Sequence, residues 1–358
     1  MSTSSVYLFH NQDLMTLHVA PRGYMERPQR IVSTESALHA SKLWDKCIPV
    51  KINSMYPLEK LSEEYGASQV EDWESMCASV HKGGSMIDPD CGDIYWSFGS
   101  MTAIRTAIQG AVQAVQQVLY DLDHKNVVSH AFALIRPPGH HCFNVPSGFC
   151  TANNVVLAAR DALAAGKRVA ILDWDYHFGD GTAQTFAEDE RVMFVSLHSA
   201  TDRSGNSTYP SHPLKGQALA RTSGGRSFNI LWQGDDADDV AYKYAFDAAI
   251  LPALRRFAPD IILVSAGYDA LAGDALAGME LTSPVFCELT SMLKKTGIPI
   301  VCVLEGGYDL KLLSEGICET IKGLLGEETM SMSMSMAKQI ATHHKSVVDD
   351  VCEQIKLI

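Results

Sequence analysis

The sequence predicts an α/β fold, one domain built on a mainly parallel sheet with helices on both faces. Short runs rich in Val, Ile, Leu and Ala alternate with longer segments of helical period, the pattern of buried strands joined by covering helices. No composition shift or Pro/Ser-rich linker interrupts residues 1–325, which points to one domain. Polar motifs begin just after four of the apolar runs, and parallel sheets carry their ligand sites at the carboxyl ends of strands.

The first strand is expected over residues 5–9 and the first long helix over 26–40. Helix 100–119 is the clearest, because Ile104, Ile108, Ala111, Val112, Val115 and Leu119 fall on one face. Then come strand 131–135, helix 153–165, strands 168–172, 192–197 and 227–231, and helix 238–257. Strand 261–265, helix 284–295, strand 300–304 and helix 308–325 complete the domain. From Met330 to Met336 methionine alternates with serine, so 326–336 reads as a flexible joint. Beyond it Ile340, His344, Val347, Val351 and Ile355 recur at roughly helical spacing. Residues 337–358 are therefore expected to form an amphipathic helix that docks on the body or on a neighbouring subunit in a homo-oligomer.

A length of 358 residues suits one large domain or two ordinary ones. With 42 acidic against 29 basic residues, the molecule's field repels nucleic acid and phosphate-rich membrane surfaces and attracts cations. That field suits a lysine-rich peptide or a polyamine, although an acidic balance is also ordinary for a soluble protein. The nine cysteines are odd in number and lack C-x-x-C spacing, against a disulfide framework or a cysteine zinc knuckle. Met1 to Leu8 has no basic region followed by an apolar core, and no apolar run reaches the length of a membrane span. A reduced, intracellular protein is expected, cytoplasmic, with a nuclear fraction if the source is eukaryotic.

The chemistry concentrates at the four strand ends. In Asp173-Trp174-Asp175-Tyr176-His177-Phe178-Gly179-Asp180-Gly181, side chains alternate along an extended backbone, so Asp173, Asp175 and His177 share one side. Asp175 and His177 can grip one divalent metal with Asp173 behind them; the bland alternative is a polar strand end with turn formers. Ser265-Ala266-Gly267-Tyr268-Asp269 ends in an aspartate that alone reads as a helix cap. Beside Asp175 and His177 it completes an O,N,O set with room for water, as in a catalytic zinc site. Arg136-Pro137-Pro138-Gly139-His140-His141 sets two histidines on a rigid turn; they either cap that turn or move a proton at neutral pH. In Leu304-Glu305-Gly306-Gly307-Tyr308 two glycines allow a close backbone approach, and the phenol either packs or donates to a developing oxyanion.

Together these motifs resemble the histone deacetylase and acetylpolyamine amidohydrolase superfamily over most of residues 1–325. Glu26-Arg27-Pro28-Gln29-Arg30 is similar to the family's E-R-P-x-R segment, and the variants lean towards class II and its bacterial relatives. The resemblance implies an arginase-like fold and one zinc ion held by Asp175, His177 and Asp269. It makes His141 the general base and acid, oriented by Asp180, with His140 paired to Asp173, and Tyr308 the group that polarises the amide carbonyl. It places Gly148, Phe149 and Tyr209 along an acyl-lysine tunnel, Asp93 at its rim, and Gly306 and Leu276 beside the substrate. It implies potassium or sodium at Asp173, Asp175, His177, Ser196 and Leu197, and a second such ion at Phe186, Asp189 and Val192.

Four positions bear on specificity. Phe178 stands where many relatives have a histidine, and Asp180 where many class II members have Asn. Tyr308 is retained, and Leu276 lies where polyamine-specific members place a glutamate, which favours an acyl-lysine peptide. The runner-up is an acetylpolyamine or other small acylamine amidohydrolase. A manganese ureohydrolase would need further Asp-rich motifs, and a binder without turnover would be expected to have lost a ligand, a histidine or Tyr308.

Overall fold

In the computed structural model, residues 5–202, 204–211, 227–327 and 340–356 are described. Ten strands occur among them in chain order: β1 Val6–His10, β2 Ile48–Lys51, β3 Ser85–Ile87, β4 Tyr95–Ser97, β5 His130–Leu134, β6 Val169–Asp173, β7 Val192–Thr201, β8 Phe228–Gln233, β9 Ile261–Ala266 and β10 Ile300–Leu304. Eight form one sheet in the order β2-β1-β5-β10-β9-β6-β7-β8, every pairing parallel. β3 and β4 make a separate antiparallel ribbon.

Both faces of the sheet are buried, and strand alternation divides the core in two. Phe132, Leu134, Leu172, Val264, Cys302 and Leu304 face one cluster, while Ala131, Ile135, Ile171, Leu263, Val301 and Val303 face the other. This is why each strand reads as a continuous apolar run. Helices Gln29–Ala40, Ser283–Lys294 and Leu310–Leu325 cover the first face. Ser100–Lys125 and Asn154–Ala164 cover the second.

Several boundaries differ from expectation. The helix expected from 100 to 119 continues to Lys125 and ends on left-handed Asn126. The helix expected over 26–40 starts at Gln29, because Glu26 is buried against arginines instead. The helix expected from 308 starts at Leu310: Asp309 accepts from Lys311 N and Leu312 N at its start, which leaves Tyr308 outside it. The helix expected over 238–257 is interrupted by a π turn, Phe246–Ile250, ahead of Pro252, whose ring nitrogen cannot donate to Ala248 O. Cys352 Sγ donates to that carbonyl at 3.2 Å.

Cys352 belongs to the terminal helix Thr342–Lys356, which buries Val348 and Val351 against the first cluster. The Met330–Met336 run lies outside the described residues. All nine cysteines are free thiols. Among the described residues, no helix is long and apolar enough to cross a membrane.

Candidate active site

The four motif-bearing strands are neighbours: β5, β10, β9 and β6 are the four central strands of the sheet. Because all are parallel, their carboxyl ends form one row, and the loops that leave them meet above it.

Asp175, His177 and Asp269 form a group whose ligand atoms all lie within 4.8 Å of one another. His177 Nδ1 is 3.1 Å from Asp269 Oδ2 and 3.3 Å from Asp175 Oδ1. Main-chain amides hold the carboxylates: Gly306 N donates to Asp175 Oδ2 at 2.9 Å, and Tyr176 N to Asp269 Oδ1 at 2.9 Å. The glycines here are required by space. A Cβ on Gly267 would strike the Asp175 carboxylate, and one on Gly306 would strike those of Asp269 and Asp175. Both aspartates are fully buried, whereas the His177 side chain keeps 12% of its exposure, so the cluster opens over the imidazole.

The charge balance of this cluster calls for a cation. Burial, followed by the nearby Asp175 carboxylate, pushes Asp269 up to about 6. Burial opposes charge on His177, but its hydrogen bonds to Asp175 and Asp269 outweigh that and raise it to about 9. Two buried carboxylates around one imidazole are an O,N,O donor set, and a divalent ion fits it better than a lone proton does.

The histidine turn is fixed from beneath. Arg136 is buried and forks onto Glu26, with Nε to Oε1 at 2.8 Å and an Nη to Oε2 at 2.6 Å. Glu305 Oε2 accepts from Gly139 N at 2.6 Å and from His140 N at 3.1 Å. Above this base His140 Nδ1 meets Asp173 Oδ2 at 3.0 Å, and His141 Nδ1 meets Asp180 Oδ1 at 2.8 Å. Burial disfavours charge on both rings. For His140 the Asp175 and Asp173 carboxylates outweigh it and hold the ring well above its ordinary value. His141 is brought down to about 4 by burial and then by the neighbouring His140. His141 is thus the neutral ring, able to accept a proton, and His140 the charged one.

Tyr308 N donates to Asp274 Oδ2 at 2.7 Å. Arg30 grips the turn before it, donating to Gly307 O at 2.7 Å and also to Glu305 O. Phe149, at a left-handed φ of 65°, sets its ring 5.5 Å from that of Tyr308. Tyr209 stands 5.0 Å from the His141 ring and 6.4 Å from His177. Gly148 packs so closely against His141 and Tyr209 that no side chain fits there. One aromatic wall therefore flanks the phenol and the other flanks the histidines. Asp93 Oδ2 accepts from Gly148 N at 2.9 Å, so it braces the rim. Leu276 is exposed, on a turn held by Asp274.

A family model described as the histone deacetylase domain matches residues 24–324. The chain belongs to the histone deacetylase family. It is 30% identical over 324 residues to histone deacetylase 15 of Arabidopsis thaliana, an alignment covering 87% of this chain and 55% of that protein. With histone deacetylase HDA1 of Saccharomyces cerevisiae it shares 33% identity over 65% of this chain and 33% of the yeast protein. It is 36% identical to the uncharacterized protein slr0245 of Synechocystis, over 84% of this chain and 93% of that one. The crystal structure of the HDA15 HD domain matches it with a TM-score of 0.84 at 29% identity, covering 100% of this chain and 96% of that one. The chain thus spans about half or less of the plant and yeast relatives.

The positions that the sequence resemblance led us to expect around alkali ions fall in two places in the fold. Asp173 is in register with Ser196 across β6 and β7, with Leu197 next along β7. Phe186, Asp189 and Val192 share one turn, where Asp189 N donates to Phe186 O and Val192 N to Asp189 O. Phe178 is buried against Phe194 and His198. Sequence reasoning assigned no role to Arg136, Arg30, Glu26, Asp274 or Glu305. Most of their partners at the site lie far along the chain, Arg30 and Gly307 being 277 residues apart, so nothing in a local motif announces them. For Arg136, Asp274 and Glu305 the signal is chemical: each is a charged residue among apolar, proline or glycine neighbours, which must find a partner if buried.

Proposed function

We propose that this chain hydrolyses the side-chain amide of an acylated lysine with the help of a divalent zinc-type ion held by Asp175, His177 and Asp269. The supporting observation is the convergence of that donor group, the His141–Asp180 pair and Tyr308 at four adjacent strand ends. When bound, the ion supplies Lewis acidity, which polarises the amide carbonyl and makes water a stronger nucleophile at neutral pH.

The residues of the chain divide the remaining work. His141 Nε2 takes a proton from the attacking water and returns it to the leaving amine, while Asp180 at Nδ1 fixes the ring's orientation and tautomer. His140, charged and paired with Asp173, adds positive potential beside the reacting carbonyl. The Tyr308 phenol donates to the carbonyl oxygen as negative charge develops on it. Phe149 and Tyr209 enclose an unbranched alkyl chain, and the net charge of −13 favours a basic peptide around it. The apolar Leu276 offers no carboxylate to a distant amine, which favours acyl-lysine over acetylpolyamine. Alkali ions at the two sites named above would brace the β6 and β7 loops.

Purified protein given an acetyl-lysine peptide and, separately, an acetylated polyamine should release acetate mainly from the peptide. The reaction should stop with chelator and fall roughly 100- to 1,000-fold in Tyr308→Phe. Turnover of the polyamine alone would move the substrate to small acylamines. No turnover of either, with metal bound, would overturn the hydrolase reading.

A further inference from the structure

The terminal helix carries a second group of metal-type donors, separate from the catalytic residues. Asp236 lies in Asp235-Asp236-Ala237-Asp238-Asp239, a stretch with four carboxylates in five residues. His343 and His344 are in the first turn of helix Thr342–Lys356. Adjacent helical residues diverge by about 100°, yet both imidazoles reach the same aspartate. His343 Nε2 is 3.1 Å from Asp236 Oδ2. His344 Nε2 is 3.4 Å from Asp236 Oδ1 and 3.2 Å from its main-chain oxygen. One ligand atom from each of the three residues fits within 4.8 Å. With bonds of about 2.0–2.1 Å, donors around a tetrahedral zinc ion lie roughly 3.3 Å apart, so the spacing suits such an ion.

The two histidines are held differently. His344 is 2% exposed and edge-on to Trp232 at 5.4 Å, so packing fixes its ring with Nε2 towards Asp236. Its Nδ1 has no hydrogen-bond partner among the described residues. The side chains of Asp236 and His343 are just over half exposed, which leaves a path for an ion and room for water. Without a cation, each Nε2 must carry a proton to face these oxygens. One divalent ion replaces both protons, and the surrounding carboxylates favour its approach.

We propose that Asp236, His343 and His344 form a second metal site, for a divalent transition ion of the zinc class, that fastens the terminal helix to the edge of the sheet. Two imidazoles and a carboxylate select zinc, cobalt, nickel or copper over calcium or magnesium. The β8 edge and the loop after it are the structures clamped. Asp235 in that loop accepts from the hydroxyl of Tyr176, the residue beside His177, at 2.7 Å.

The test is cobalt binding to the full chain after chelator treatment, measured as metal retained on dialysis and as visible absorption. The parent protein should hold two ions, and His343→Ala one, with deacylation unchanged. His177→Ala should also hold one, and the double variant none. Cobalt should raise the melting temperature of His177→Ala but not of the double variant. Asp236→Asn provides a second, exposed disruption that should repeat the His343→Ala result. If the parent and His343→Ala retain the same number of ions, the histidines only hydrogen-bond to Asp236, and the proposal is overturned.

Discussion

Glu305 is fully buried, and burial pushes its carboxyl up to about 7 while one oxygen accepts two main-chain amides of the histidine turn. It does not touch the reacting atoms, so its task is positioning. Glu305→Ala would leave Gly139 N and His140 N buried without an acceptor, at a cost of about 1–3 kcal/mol each. Displacing His140 and His141 by about 1 Å should lower kcat by about 100-fold. Glu305→Gln keeps an acceptor for both amides, so it should retain most of kcat with KM unchanged. Equal kcat in the two variants would show that the turn holds itself. At this scale part of the candidate site was legible: Asp175 and His177 follow β6, Asp269 follows β9, and the three come together although the chain bends after Asp173 instead of staying extended. Glu305 was visible inside a motif but its task was not, because Gly139 is 166 residues away.

Pairing of β5 with β10 brings two of the motif-bearing strands together, and it begins at His130, whose Nδ1 accepts from Ile300 N at 3.2 Å. Burial and then Lys294 hold this ring at about 4 against an ordinary 6.5, so the fold requires it neutral. Its contribution is complete above 6.5 and is lost as pH falls towards 4. Over that interval the loss reaches about 3 kcal/mol at most. His130→Asn retains an acceptor but cannot be protonated, so its urea midpoint should fall less steeply across this range; an unchanged slope would remove His130 from the acid response. Element boundaries were legible where the local pattern decides them, as in the central strands. They were not where a tertiary partner does. β2 contains Pro49, tolerated because the strand lies at the sheet edge. β3 and β4 have three residues each, too short for alternation to show. The π turn before Pro252 is satisfied by Cys352, on the terminal helix.

The whole molecule turns separate motifs into one site through strand order. In sequence the motifs follow β5, β6, β9 and β10; in the sheet these strands are consecutive, with β10 inserted beside β5. That placement was not legible from the chain, which shows only that each motif ends a buried strand. Under the proposed function the acidic balance, the aromatic walls and the buried donor set would act together: one would draw a basic peptide, one would admit an alkyl chain, and one would hold the ion. Amide hydrolysis is proposed to depend on an ion held by Asp175, His177 and Asp269. The most direct test is to strip the protein with chelator and follow acetyl-lysine peptide hydrolysis as zinc is added back, in the parent chain and in Asp269→Asn. The stripped protein should be inactive, the parent should recover with zinc, and Asp269→Asn should show no comparable recovery. Full activity without metal, or equal recovery in the variant, would contradict this dependence.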